Sequence, residues 1–247
     1  MIVQPRKSGQ GGFAEDCRGA LKVGLASVRA NLVPMVVLWV LAAALVLGYY
    51  FMPGVDSVLE PLRKWQIESG WLAAFLNRFF FCGVVPGVFL LSVGSIRPQM
   101  PIATAVAQGV WGGVSGIVYD FFYRWQCVWF GDAVGISTLL KKLLVDQFTI
   151  TVFVIAPLNV LVFFWISRGF SFMRFRSEFP RPFFTRALLP NLVTNWCVWI
   201  PVVLAIYAFP LALQVQVSGF ACAFWALTCL QIGRRSSSVR TVSRTGS

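Results

Sequence analysis

Along the chain, long apolar runs alternate with short basic or turn-rich stretches, and the length of the runs decides the first reading. A hydrocarbon core of about 30 Å is crossed by about 20 helical residues. Six runs qualify: Asn31 to Phe51, Trp71 to Val93, Ile102 to Tyr123, Leu144 to Ile166, Leu188 to Phe209 and Leu211 to Ile232. The last two come from one uncharged stretch of 45 residues, which as a single helix would be about 68 Å long. That exceeds one crossing, so Pro210 is read as the break and Pro201 as a kink inside the fifth span. The pattern predicts an all-α, polytopic integral membrane helical bundle of about six transmembrane helices over residues 31–232.

The ends read differently. Within the basic arm 1–30, Phe13, Cys17, Leu21, Leu25 and Val28 recur at helical spacing with Arg18, Lys22 and Arg29 off that stripe, as in an amphipathic helix lying on a leaflet. The tail 233–247, GRRSSSVRTVSRTGS, is polar, basic and aperiodic, and is expected to be disordered.

Composition agrees. Charged residues make up 12% of the 247 positions and hydrophobic ones 57%, against roughly 25% charged in a soluble domain. The net charge of +12 sorts by side. With six spans, 15 basic residues share the side of the termini, including Arg97 and the cluster Arg168, Arg174, Arg176, Arg181 and Arg186, and 5 take the other: Arg63, Lys64, Arg124, Lys141 and Lys142. Short inner loops collect Lys and Arg, so the basicity reads as orientation and no nucleic-acid partner is expected. The phenylalanines interleaved with arginines between Arg168 and Arg186 read as an interfacial loop on lipid phosphates.

The chain has no histidine, which removes the commonest general base and metal ligand. The six cysteines are scattered, without a C-x-x-C pair, and read as small buried hydrophobes. No metal, cofactor or catalysis is expected.

Polar residues inside spans carry the functional question, since a charge at mid-bilayer costs roughly 2.5 to 3.5 kcal/mol and faces a partner or a cavity. Arg78 lies in the second span, Asp120 in the last turn of the third, and Asp146 with Gln147 in the first turn of the fourth. Asn159, Asn191 and Asn195 form a second layer near the other end. Two readings stand side by side. The two layers are vestibules of an aqueous path, or Arg78 pairs with Asp120 or Asp146 as glue between helices. In the third span Gly109, Gly112, Gly113 and Gly116 make overlapping small-xxx-small pairs, a surface for close helix packing whose partner is another span or a second copy of the chain.

Several of these residues also carry a family resemblance. The segment LVDQFTITVFVIAPLNVLVFF, with Asp146, Gln147 and Pro157 preceded by Lys141 and Lys142, and the segment NWCVWIPVVLAIYAFPLALQVQV, with Asn195, Trp196, Trp199, Pro201 and Pro210, resemble the Mpv-seventeen family, which includes the twenty-two-kilodalton peroxisomal membrane protein. Trp225 matches a tryptophan in the family's final span. The resemblance runs from about residue 100 to Ile232. In this chain an isoleucine separates Trp199 from Pro201, Ile206 and Tyr207 replace an Asn-Phe pair, and the family's histidine is missing. The resemblance implies a weakly selective channel for small solutes or ions in a plasma membrane if bacterial, or in a mitochondrial inner or peroxisomal membrane if eukaryotic. The rival function is a structural or assembly protein of the bilayer. The six-span arrangement predicts that single cysteines placed at 97 and 132 in a cysteine-free background are labelled by an impermeant maleimide from opposite sides of the membrane; labelling of both from one side breaks it.

Overall fold

The structure, a computed structural model, describes residues 12–92 and 100–227. The 233–247 tail, Arg97 and Val93, and the end of the last run from residue 228 to Ile232 lie outside the described residues. Within them the chain is all-α, with no strand. In chain order the helices are α1 (Phe13–Ala30), α2 (Leu32–Phe51), α3 (Val55–Ser69), α4 (Trp71–Ser92), α5 (Pro101–Phe130), α6 (Ile136–Ser167), α7 (Phe172–Glu178), α8 (Phe184–Tyr207) and α9 (Leu211–Leu227). Five of these, α2, α4, α5, α6 and α8, are long and apolar enough to cross a membrane, as in an integral membrane protein. α9 is apolar but shorter over its described residues.

The break at Pro210 falls between α8 and α9, as the sequence predicts. Other boundaries move outward. α5 runs on to Phe130, so Asp120 stands ten residues before its end rather than in its last turn. α6 begins at Ile136, so Asp146 is its eleventh residue, and Lys141 and Lys142 belong to the helix rather than to a loop. A hydropathy run stops at the first charges, whereas the backbone ladder continues through them, because a long basic side chain can lay its stem along apolar surface. α3 appears where the apolar pattern showed only a connection; it is amphipathic, and its exposed Arg63 pairs with Glu60 at 2.6 Å. It turns into α4 at Gly70, whose φ of 53° is open to glycine.

Three helices contain π-helical stretches, Phe80–Val84, Asp146–Ile155 and Phe184–Leu188. Each is followed, two residues past its end, by a proline: Pro86, Pro157 and Pro190. The shared cause is local, since a proline ring clashes with the carbonyl four residues back and supplies no N–H, and the preceding turn opens to the wider i to i+5 spacing.

α1 packs against the bundle. Ala20 and Gly24 are buried, and a Cβ on Gly24 would come within 2.7 Å of Val193 on α8. Phe13, Leu21 and Leu25 remain exposed. Between the spans, α7 and its flanks carry Phe175, Phe179 and Phe183 in a run of ring contacts, with Arg168 paired to Glu178 at 2.8 Å.

The closest seam joins α4 to α5. A Cβ on Gly116 would lie 2.6 Å from the Ala74 carbonyl, one on Gly112 would meet Cys82 at 2.6 Å, and Gly109 and Gly113 receive the rings of Phe79 and Phe75. The glycine face is thus filled from within the chain. Gly83 answers from α4, where an added Cβ would sit 2.5 Å from the Gly109 Cα. Because that approach is backbone to backbone, Gly83→Ala is expected to destabilise the protein by about 1 to 3 kcal/mol. Gly19→Ala, which meets nothing within 4 Å, should be neutral or stabilising by up to about 1 kcal/mol. Thermal unfolding in detergent of the two variants compares them, and equal midpoints would remove the seam as a determinant.

Candidate functional site

The middle of the bundle holds an unusual amount of polar chemistry for a membrane protein. Asp146 is fully buried. Its carboxylate accepts from the Tyr207 hydroxyl at 2.7 Å, the Thr151 hydroxyl at 3.1 Å and the Gln147 amide at 3.2 Å. The Thr151 bond depends on the π-helical stretch, because in a regular α-helix a residue five further on is turned about 140° away, whereas the wider turn brings it over its partner. No basic group lies within ion-pair distance of Asp146 among the described residues.

Arg78 is also buried, and it pairs with neither aspartate. Its guanidinium donates to the Cys222 sulfur on α9 and stands 5.1 Å from the ring centroid of Tyr119 on α5, a cation over the negative face of an aromatic ring. Asp120 is tied locally to Arg124 at 3.0 Å and across to Gln66 of α3 at 2.9 Å. Glue between the three charges is therefore not what the fold builds. Arg78 takes a sulfur, Asp146 takes hydroxyls and an amide, and Asp120 takes an amide and its own neighbour Arg124.

The second polar layer separates. Asn159 accepts from the Trp111 indole at 2.6 Å, Asn195 is half-buried, and Asn191 is exposed. The segments around Gln147 and Trp196 do meet. The Trp196 indole donates to the Gln147 carbonyl at 3.0 Å and its ring lies 5.3 Å from Phe148. Trp199 and Trp225 pack on the main apolar core, and Pro201 sits within α8, three residues past Val198, whose carbonyl receives the Trp39 indole at 3.0 Å.

Sequence reasoning followed Gln147 but passed over the other buried glutamines. Gln126, Gln147, Gln214 and Gln216 are all buried, and each spends its amide nitrogen: on the Lys142 carbonyl, Asp146, the Phe209 carbonyl and Gln66 respectively. The side-chain oxygen of each has no hydrogen-bond partner among the described residues. Lys142 is buried as well, with its ammonium 3.3 Å from the Cys127 sulfur. Gln126 escaped because it lies past Tyr123, where the apolar run ends, and the available signal for the others was two glutamines, Gln214 and Gln216, inside the longest uncharged stretch. No group of three or more metal-ligating side chains occurs among the described residues.

Compared with family models, with curated proteins and with solved structures, the chain finds no match in any of the three.

The three donors on Asp146 predict a measurable coupling. Tyr207→Phe should cost roughly 1 to 3 kcal/mol, as for a hydrogen bond to a charged group. In a double-mutant cycle with Asp146→Asn, the interaction energy should exceed about 0.5 kcal/mol, whereas additive losses would mean that the hydroxyl and the carboxyl act separately.

Proposed function

We propose that this protein is a weakly selective small-solute channel or permeability factor of the Mpv-seventeen type, working without catalysis. The observation that carries the reading is the set of four buried glutamines whose side-chain oxygens lack hydrogen-bond partners among the described residues. A buried acceptor without a donor is costly, and a bundle that keeps four of them is suited to water or to donor-bearing solutes. Weak selectivity follows from mixed charge: Asp146 and Asp120 share the interior with Arg78 and Lys142, so neither sign of ion is strongly refused. Kinship with the family is supported by the junction of its two motifs, where Trp196 bonds to the Gln147 backbone. The host would be a bacterial plasma membrane, or a mitochondrial inner or peroxisomal membrane in a eukaryote.

A non-transporting structural role is the second reading, favoured by the complete burial of Asp146 under three hydrogen bonds. Purified full-length protein in liposomes separates the two. The channel reading expects efflux of small solutes and measurable conductance, and Asp146→Asn should keep the pore conducting while moving its ion preference toward anions. Bilayers that stay sealed to ions and solutes at high protein density would establish the structural role instead.

A further inference from the structure

The connection between α6 and α8 carries polar chemistry of its own, outside the bundle interior. On α7, Met173, Arg176 and Ser177 stand three and four residues apart, the spacing of one helix face, and Arg174 lies beside them. The chain then turns back, and Arg174, Arg176 and Arg181 line one cavity of about 710 Å³ with Met173, Ser177 and Phe179. This cavity is held from behind. Phe175 and Phe179 pack on Phe164 of α6 at ring distances of 5.5 and 6.1 Å, and the Ser177 hydroxyl donates to the Arg174 carbonyl at 3.3 Å. No acid answers the three arginines among the described residues. Glu178 is the one acidic residue in the sequence after Asp146, and Arg168 holds it at 2.8 Å. Glu15 and Asp16, on the helix whose Phe13 stacks on Phe184 at 6.4 Å, make no ion pair among the described residues either. Beside the charge, Phe172 and Met173 are 70% and 83% exposed.

We propose that Arg174, Arg176 and Arg181 form a site for the head of a phospholipid that carries two phosphates, one lipid per chain. Arginine meets a phosphate with parallel N–H donors, and basic pockets at the ends of spanning helices take the heads of multiply charged lipids. The connection joins two helices long and apolar enough to cross a membrane, so it lies where the spans end, at the level of the heads. A single phosphodiester would answer one of the three cations, whereas a head with two leaves only one over. The occupant is a lipid rather than a soluble phosphate because Phe172 and Met173 put exposed apolar surface next to the charge, where acyl chains leave the head. A diffuse basic surface is a different arrangement. It would rank every exposed arginine of the connection alike, and the cavity singles out three, since Arg186 is exposed too but stands outside it. Lipid held here does not require the chain to conduct, so sealed liposomes would leave the site standing.

The test is native mass spectrometry of the purified full-length protein in detergent, titrated with tetraoleoyl cardiolipin, with dioleoylphosphatidylglycerol and dioleoylphosphatidylcholine as the singly charged and neutral probes. The expected result is one tightly held cardiolipin per chain, bound about fivefold more strongly than phosphatidylglycerol, the worth of one further charge contact. Phosphatidylcholine should bind more weakly than either. Arg174→Gln, Arg176→Gln and Arg181→Gln should each weaken cardiolipin about fivefold, and the three together roughly a hundredfold. Arg186→Gln should change it by less than about twofold. All four arginines are exposed, so the variants are expected to unfold at the wild-type temperature, which thermal unfolding of the same samples checks. Inorganic phosphate in millimolar excess should leave the lipid in place. Three outcomes overturn the proposal: a triple variant that binds cardiolipin as the wild type does, an Arg186→Gln loss equal to that of Arg176→Gln, which makes the connection a diffuse basic surface, and displacement of the lipid by phosphate, which makes the cavity a site for the free anion.

Discussion

Everything central in this bundle depends on how closely α4 and α5 approach. Helices in lipid are not driven together by the hydrophobic effect, since acyl chains are as apolar as leucine, and close backbone packing has to supply the attraction. Glycines provide it from both sides, with Gly83 facing Gly109 and with Gly112 and Gly116 lying under Cys82 and Arg78. The seam therefore does two things. It holds the helices together, and it roots a buried cation and a thiol beside each other, near the Tyr119 ring that α5 carries less than one turn past Gly116.

From that seam the polar interior spreads in two directions, and no salt bridge among the described residues joins them. Toward α9, Arg78 finds sulfur and an aromatic face. Toward α6 and α8, Asp146 finds two hydroxyls and an amide. Keeping buried charges apart behind neutral partners leaves each charge responsive to its own surroundings, whereas a direct pair would neutralise both and bury them as a unit. The unpaired glutamine oxygens belong to the same logic, because a protein selected only for rigidity gains by satisfying or deleting them.

Much of this architecture was legible before any coordinate. The apolar runs placed the spanning helices and the break at Pro210, because in a bilayer every backbone polar group must be satisfied within the helix itself and length alone is informative. Glycine spacing named one half of the seam. Helix ends were less legible at Arg124 and Lys141, where charge ended the apolar run but not the hydrogen-bond ladder. α3 escaped notice because its polar and apolar positions average out over a window suited to spans.

By itself, then, the sequence determined the class, the approximate spans, the charged residues, Gln147 and the asparagines worth following, and the helix face that packs. It did so because those properties are set by residues near one another along a helix. Which partner each buried group takes was decided only by tertiary structure. Arg78 and Cys222 are 144 positions apart and Asp146 and Tyr207 are 61 apart, and no local pattern links them. The pairings follow from how the helices cross, and from the wider π-helical turn that sets Thr151 over Asp146.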